Sequence, residues 1–178
     1  QILAMMILFP VLRKFMNTLK IFYVSFTMAF VGYLTLLGIT FTGSSNVYLL
    51  LIPAFFIMSA MGMLNVIVTV FLANTVDYGE YKNNRRDESV IFSMQTFVVK
   101  LSSGIAALAA SVVIQVFNIK KDETGEVLQA IDRTSRMGLR MCMTVIPIIV
   151  LIVGLIVFRK KYILTDAKLA QINDELKS

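Results

Sequence analysis

Apolar residues in this chain fall in long runs rather than in the alternating or three-and-four spacing of a soluble fold. A short run opens the chain at 1–12. Four longer ones follow, at about 21–40, 47–72, 90–117 and 139–158. Each of the four reaches the roughly 20 residues that cross a bilayer as a helix. Within hydrocarbon every backbone amide must find its partner inside the chain, so all four spans are predicted to be helices. The run at 1–12 is too short to span, and the chain is expected to be the carboxy-terminal piece of a larger protein, beginning in mid-helix. The six-residue polar turn Phe41–Asn46 makes its two flanking spans antiparallel neighbours. A charged segment, Asp77–Ser89, separates the second span from the third, and a longer polar stretch, Asn118 to about Arg136, precedes the fourth. Residues 159–178 read as an amphipathic tail. The predicted class is an all-α, polytopic membrane protein with a transmembrane bundle over 1–158.

Composition supports lipid as the main solvent. Hydrophobic residues make up 57% of 178 positions, charged residues 16%, and the mean hydropathy is +0.78. A soluble domain has about a quarter of its residues charged. The net charge of +6 does not indicate nucleic acid, because the basic residues lie between the apolar runs rather than on one face. Eleven of them (Arg13, Lys14, Lys20, Lys82, Arg85, Arg86, Arg159, Lys160, Lys161, Lys168 and Lys177) fall on one side of the alternating spans. Five (Lys120, Lys121, Arg133, Arg136 and Arg140) fall on the other, diluted by Asp122, Glu123, Glu126 and Asp132. The positive-inside rule then places the Asp77–Ser89 segment and the carboxy terminus in the cytoplasm of a cell (inner or plasma) membrane protein. With no histidine, and with Cys142 alone inside an apolar run, neither a His-based triad or metal site nor an internal disulfide can form, and no cofactor is expected. No charged leader or cleavage site precedes the first run.

Against this apolar background Lys100 stands out, about ten residues inside the third span. A lysine at mid-membrane costs at least about 2.5–3.5 kcal/mol, so it is expected to face a cavity or a partner. Ser93, Thr96, Lys100, Ser103, Ala107 and Ser111 share a narrow sector of that helix, as the lining of an aqueous path requires. Ser102, Ala106 and Ala110 read as helix-packing positions. No carboxylate lies within the four spans. The counter-ion of Lys100 is therefore expected in a part of the protein outside this chain. Asn65 and Thr69, four apart, form a weaker polar pair, and Gln95 lies about 140° from Lys100 around its helix. Pro53, Gly62, Gly104, Pro147 and Gly154 permit kinks within the spans.

The segment Ala73-Asn-Thr-Val-Asp-Tyr-Gly-Glu-Tyr-Lys82 resembles the cytoplasmic motif of the glycoside–pentoside–hexuronide:cation symporters, the melibiose permease-like family of the major facilitator superfamily. The match continues through Arg86, Glu88, Ser89, Ser93, Gln95, Thr96, Val98, Val99, Lys100 and Ser103. It extends to a Pro-containing last span (Ile146, Pro147) and a basic amphipathic tail over Arg159–Leu176. It covers nearly the whole chain. The resemblance implies a twelve-helix transporter in which 1–12 ends the eighth span and the four full spans are nine to twelve. It further implies that Lys100 is the family's essential lysine of the eleventh span, near the sugar and the coupling cation, and that Gln95 and Thr96 line the sugar cavity. Asn65 stands where melibiose permease-like members carry a cavity-lining tryptophan, and Asn74 where the family usually has Asp. The family's cation-site carboxylates belong to the amino-terminal half. Asp77, Tyr78, Gly79 and Glu80 are expected to act as a cytoplasmic gate, pairing with Arg85, Arg86 or basic residues of the other half.

The expected function is secondary active transport, a sugar or glycoside moving with Na+ or H+ by alternating access between two six-helix halves. No covalent chemistry is expected, so the protein is not read as an enzyme. Its expected partners are the solute, the coupling cation, the lipid bilayer and the amino-terminal half of the same protein, with no nucleic acid. Two other readings stand beside this one: a symporter for another amphiphilic or lipid-like solute, and a non-transporting membrane scaffold.

Overall fold

The computed structural model describes residues 1–42, 47–117, 133–164 and 166–175. The turn at 43–46 and most of the polar stretch, 118–132, lie outside the described residues. A π-helical turn, Ala4–Leu8, leads into α1 (Phe9–Phe15), followed by α2 (Thr18–Thr42), α3 (Val47–Asn83), α4 (Glu88–Val116), α5 (Arg133–Lys161) and α6 (Asp166–Glu175). Among the described residues α2 to α5 are the helices long and apolar enough to cross a membrane.

Helix α2 is the hub. Phe22 meets Phe71 of α3 at 5.6 Å between ring centroids, whereas Gly32, ten residues further along α2, lies against Ile57 of α3. The two helices therefore run antiparallel. Phe22 also meets Phe158 of α5 at 4.1 Å, and the opposite end of α2 (Tyr33, Thr40) borders a cleft shared with Arg140 and Thr144 of α5. That pair is antiparallel as well. Phe71 and Phe158 stack at 5.6 Å, and Tyr162 stacks on Phe158 at 4.5 Å. This aromatic group joins a core of Phe9, Ile21, Met63 and Ile67, which places the densest packing at the end where α2 starts and α3 and α5 finish. Offset aromatic pairs of this kind contribute about 0.5–1.5 kcal/mol each beyond their buried area.

Close approach of α2 to α3 depends on a missing side chain. A Cβ on Gly32 would stand 2.8 Å from Ile57 Cγ1, 3.2 Å from Phe56 Cβ and 3.3 Å from the Ile57 backbone nitrogen. The backbone atom cannot swing aside.

One feature differs from the sequence expectation. The charged residues after Leu72, expected as an inter-span segment, continue α3 as helix to Asn83. Asn84 then turns the chain with φ of 50°, the left-handed region that Asn tolerates better than most residues. The tail forms a separate helix, α6, which packs back on that α3 extension. Helix α4 has no buried residue. It touches the others mainly near its ends, where the Phe117 ring lies against Gly138 of α5.

Gly32→Ala in the full-length protein is expected to cost about 1–3 kcal/mol by overpacking and to lower its thermal midpoint. Gly38→Ala, on the same helix with nothing within 4 Å of the added Cβ, should leave the midpoint unchanged or raised. Equal midpoints for the two variants would contradict the packing.

Candidate functional site

Two sets of polar residues are candidates, one along the spans and one at the charged end. Along α4 the hydroxyls bond back onto their own helix. Thr96 Oγ1 donates to the Phe92 carbonyl at 3.0 Å, Ser102 to Val98 at 2.7 Å and Ser103 to Val99 at 3.0 Å, and Ser93 donates to Ser89. Thr69 of α3 donates to the Asn65 carbonyl at 3.1 Å. Such bonds satisfy the hydroxyl proton inside the helix, so these side chains can sit in hydrocarbon and still offer lone pairs to a solute. Lys100 is exposed, as are Thr96 and Asn65, and Gln95 is half-buried. Lys100 makes no ion pair with any described residue. The structure brings neither Lys100 nor Gln95 into a hydrogen bond with Asn65. The α4 face and the Asn65 position are thus open to whatever else surrounds them.

The charged end is more closely built. Asp77 and Glu80, three apart, share a face of the α3 extension, and the turn at Asn84 brings Arg86 back to them. Arg86 Nη1 lies 2.9 Å from Glu80 Oε2 and 3.6 Å from Asp77 Oδ1, and its Nε lies 3.3 Å from Glu88 Oε2 at the start of α4. Hydrogen bonds to Glu80 and Glu88 push the guanidinium above its already high ordinary value. Arg85 pairs separately with Asp87 at 2.8 Å. One guanidinium therefore fastens the end of α3 to the start of α4. Each pair is solvent-exposed and individually weak.

The tail, not connected to this motif by sequence, packs beside it. Ile172 of α6 is 2% exposed and Leu164 5%, and Val76 on the facing helix is 2%. Lys168 Nζ sits 5.5 Å above the Tyr78 ring, and the Tyr81 hydroxyl bonds Glu175. That hydrogen bond and the carboxylate's charge raise the Tyr81 phenol above its ordinary value. The sequence announced an amphipathic tail over 159–178, but nothing in its spacing named the surface that α6 covers.

The sequence pattern of the MFS/sugar transport protein family matches residues 1–166. The chain is 26% identical over 170 residues to a lactose permease of Lactobacillus delbrueckii subsp. bulgaricus, covering 96% of this chain and 26% of the permease. It is 28% identical over 171 residues to a raffinose carrier protein of Pediococcus pentosaceus, covering 95% of this chain and 25% of the carrier. Over 53 residues, 30% of this chain and 11% of the relative, it is 34% identical to an isoprimeverose transporter of Lactiplantibacillus pentosus. The chain spans about a quarter of the length of the first two relatives.

Ile172→Asp in the full-length protein is expected to release α6, since burying such a side chain is worth about 1.5–3 kcal/mol. Hydrogen exchange over α6 and over residues 77–83 should then rise about tenfold or more, with α2 and α5 unaffected. Unchanged exchange at 77–83 would show that the α3 extension holds without the tail.

Proposed function

Because the chain belongs to the MFS/sugar transport protein family, a family of membrane transporters, we propose that it forms the carboxy-terminal part of a sugar:cation symporter working by alternating access. The observation that carries this reading is Lys100, a cation placed inside an apolar helix with no carboxylate partner among the described residues. A charge in that position is stabilised only by water, a solute or an opposite charge, and a symporter's central cavity supplies all three. Thr96 and Gln95 on α4 and Asn65 on α3 would supply acceptors and amide donors for sugar hydroxyls. The counter-ion would be a carboxylate of the amino-terminal half, shared with Na+ or H+. Relatives that carry the names lactose permease and raffinose carrier favour a glycoside as the solute.

The Asp77-Tyr78-Gly79-Glu80 motif would act as a gate. Asp77, Glu80, Asp87 and Glu88 face only Arg85 and Arg86 within the ion pairs above, leaving two negative charges in excess. Basic residues of the other half would neutralise that excess when the cytoplasmic side closes, and water would do so when it opens. Weak, exposed pairs suit such an interface, because a gate that costs little to break can cycle.

Counterflow by the full-length protein, with a panel of glycosides and with or without Na+, tests the function. Saturable exchange of at least one glycoside is the expected result, and its absence across the panel in folded protein would overturn the reading. Lys100→Ala is expected to lower active uptake by about a hundredfold or more while leaving the amount of folded protein unchanged. Uptake at the parent level would remove Lys100 from the site. Arg86→Gln should change folding stability by less than about 1 kcal/mol. Labelling of cysteines placed in the cytoplasmic half of the cavity should meanwhile rise. Unchanged labelling would leave the cluster as surface charge.

A further inference from the structure

Near the charged end, α2 and α5 part to leave an apolar cleft of about 240 Å³. Tyr23, Phe26 and Phe30 line it from α2, and Leu155 and Ile156 from α5. From Tyr23 to Phe30 it runs about 10 Å along the helix axis, at 1.5 Å per residue. The register of the two helices there is set by Tyr23 against Phe158, with ring centroids 6.5 Å apart. Its lining is almost wholly apolar, and the Thr27 hydroxyl proton is already donated to the Tyr23 carbonyl at 2.9 Å. It is smaller than the 300–1,000 Å³ usual for compact ligands, and a helix about 10 Å across does not enter it. A single hydrocarbon chain does.

The helix turns that lead out of the cleft are basic. Lys20 lies three residues before Tyr23, and Arg159 three and four residues after Ile156 and Leu155, so both stand on the faces that line the cleft. Both are exposed, and neither makes an ion pair with a described residue. Neither α2 nor α5 contains an acidic residue, and the carboxylates of the nearby α3–α4 junction are drawn to Arg85 and Arg86. An apolar slot at membrane depth, with two unpaired cations one turn beyond its lining at the water-facing end, matches an acyl chain joined to a phosphate.

We propose that the α2–α5 cleft is a binding site for one anionic phospholipid, its acyl chain along Phe26 and Phe30 and its phosphate against Lys20 and Arg159. The site lies on different helices from Lys100 and is independent of the solute carried.

Native mass spectrometry of the delipidated full-length protein, titrated with phosphatidylglycerol or phosphatidylcholine, tests this. The parent should hold one phosphatidylglycerol about thirtyfold more tightly than phosphatidylcholine, as two cations at a membrane surface provide. The Lys20→Gln/Arg159→Gln pair should lose that preference, and Lys20→Arg/Arg159→Lys should keep it. Equal retention of the two lipids by the parent, or undiminished preference in the Gln pair, would overturn the site. Displacement of the lipid by millimolar inorganic phosphate alone would also overturn it, since the cleft would then add nothing. A photo-crosslinker at Phe30 in native membranes should label lipid, and labelling of an upstream helix instead would rule the site out.

Discussion

An amide that enters a bilayer leaves water behind and must find its hydrogen-bond partner within the protein. That constraint accounts for most of this structure. It makes each long apolar run a helix and forces side-chain hydroxyls to turn inward. Ser25 donates to Ile21 at 2.8 Å, Thr35 to Val31 at 2.8 Å and Thr144 to Arg140 at 3.0 Å, so these hydroxyls at membrane depth add no unmet donor. Since lipid tails are as apolar as leucine, hydrophobicity cannot by itself hold the helices together, and close fit must. The α2–α3 approach at Gly32 and the ring stack of Phe22, Phe71, Phe158 and Tyr162 are where this chain achieves it.

The same constraint separates α4 from the rest. Its apolar residues, such as Val98, Leu101 and Ile105, are as exposed as its polar ones, and no residue along it is buried. A helix with hydrocarbon-compatible hydroxyls all along one face and a lysine in the middle is suited to two surroundings at once, lipid on one side and a polar path on the other. Helix α2, packed between α3 and α5, carries no charge beyond Lys20 at its start and has only one environment to satisfy. The hub of the packing and Lys100 therefore sit on different helices.

The spans could be read from the sequence because the signal is local: twenty or so apolar residues suffice to predict a helix wherever its neighbours lie. The α3 extension could not. Residues 73–83 carry Asp77, Glu80 and Lys82, and charge alone marks such a segment as water-exposed rather than as helix or loop. The element that covers it comes from far along the chain: α6 packs on α3, where Ile172, Leu164 and Val76 are all buried and Lys168 lies over Tyr78. Lys100 was evident because an ammonium in an apolar run is conspicuous. Its partner was not, and the described residues hold none. Asn65 was visible as a polar residue in a span, but periodicity cannot say whether an amide at that position meets a solute or another helix.

The motif and the lysine, read separately in the sequence, are joined by the structure through one rigid element. Arg86 grips Asp77 and Glu80 on α3 and Glu88 on α4, and Lys100 lies twelve residues beyond Glu88 on that uninterrupted helix, about 18 Å along its axis. No residue of α4 is buried between those points. In the proposed cycle α4, tied to α3 by exposed ion pairs at its start and meeting α5 through Phe117 beyond its far end, would tilt when those pairs exchange partners. Closure of the cytoplasmic side would reassign the carboxylates of the junction and so change what Lys100 faces at mid-membrane. Coupling of this kind needs no chain of packed side chains between gate and site, because the helix itself carries the displacement.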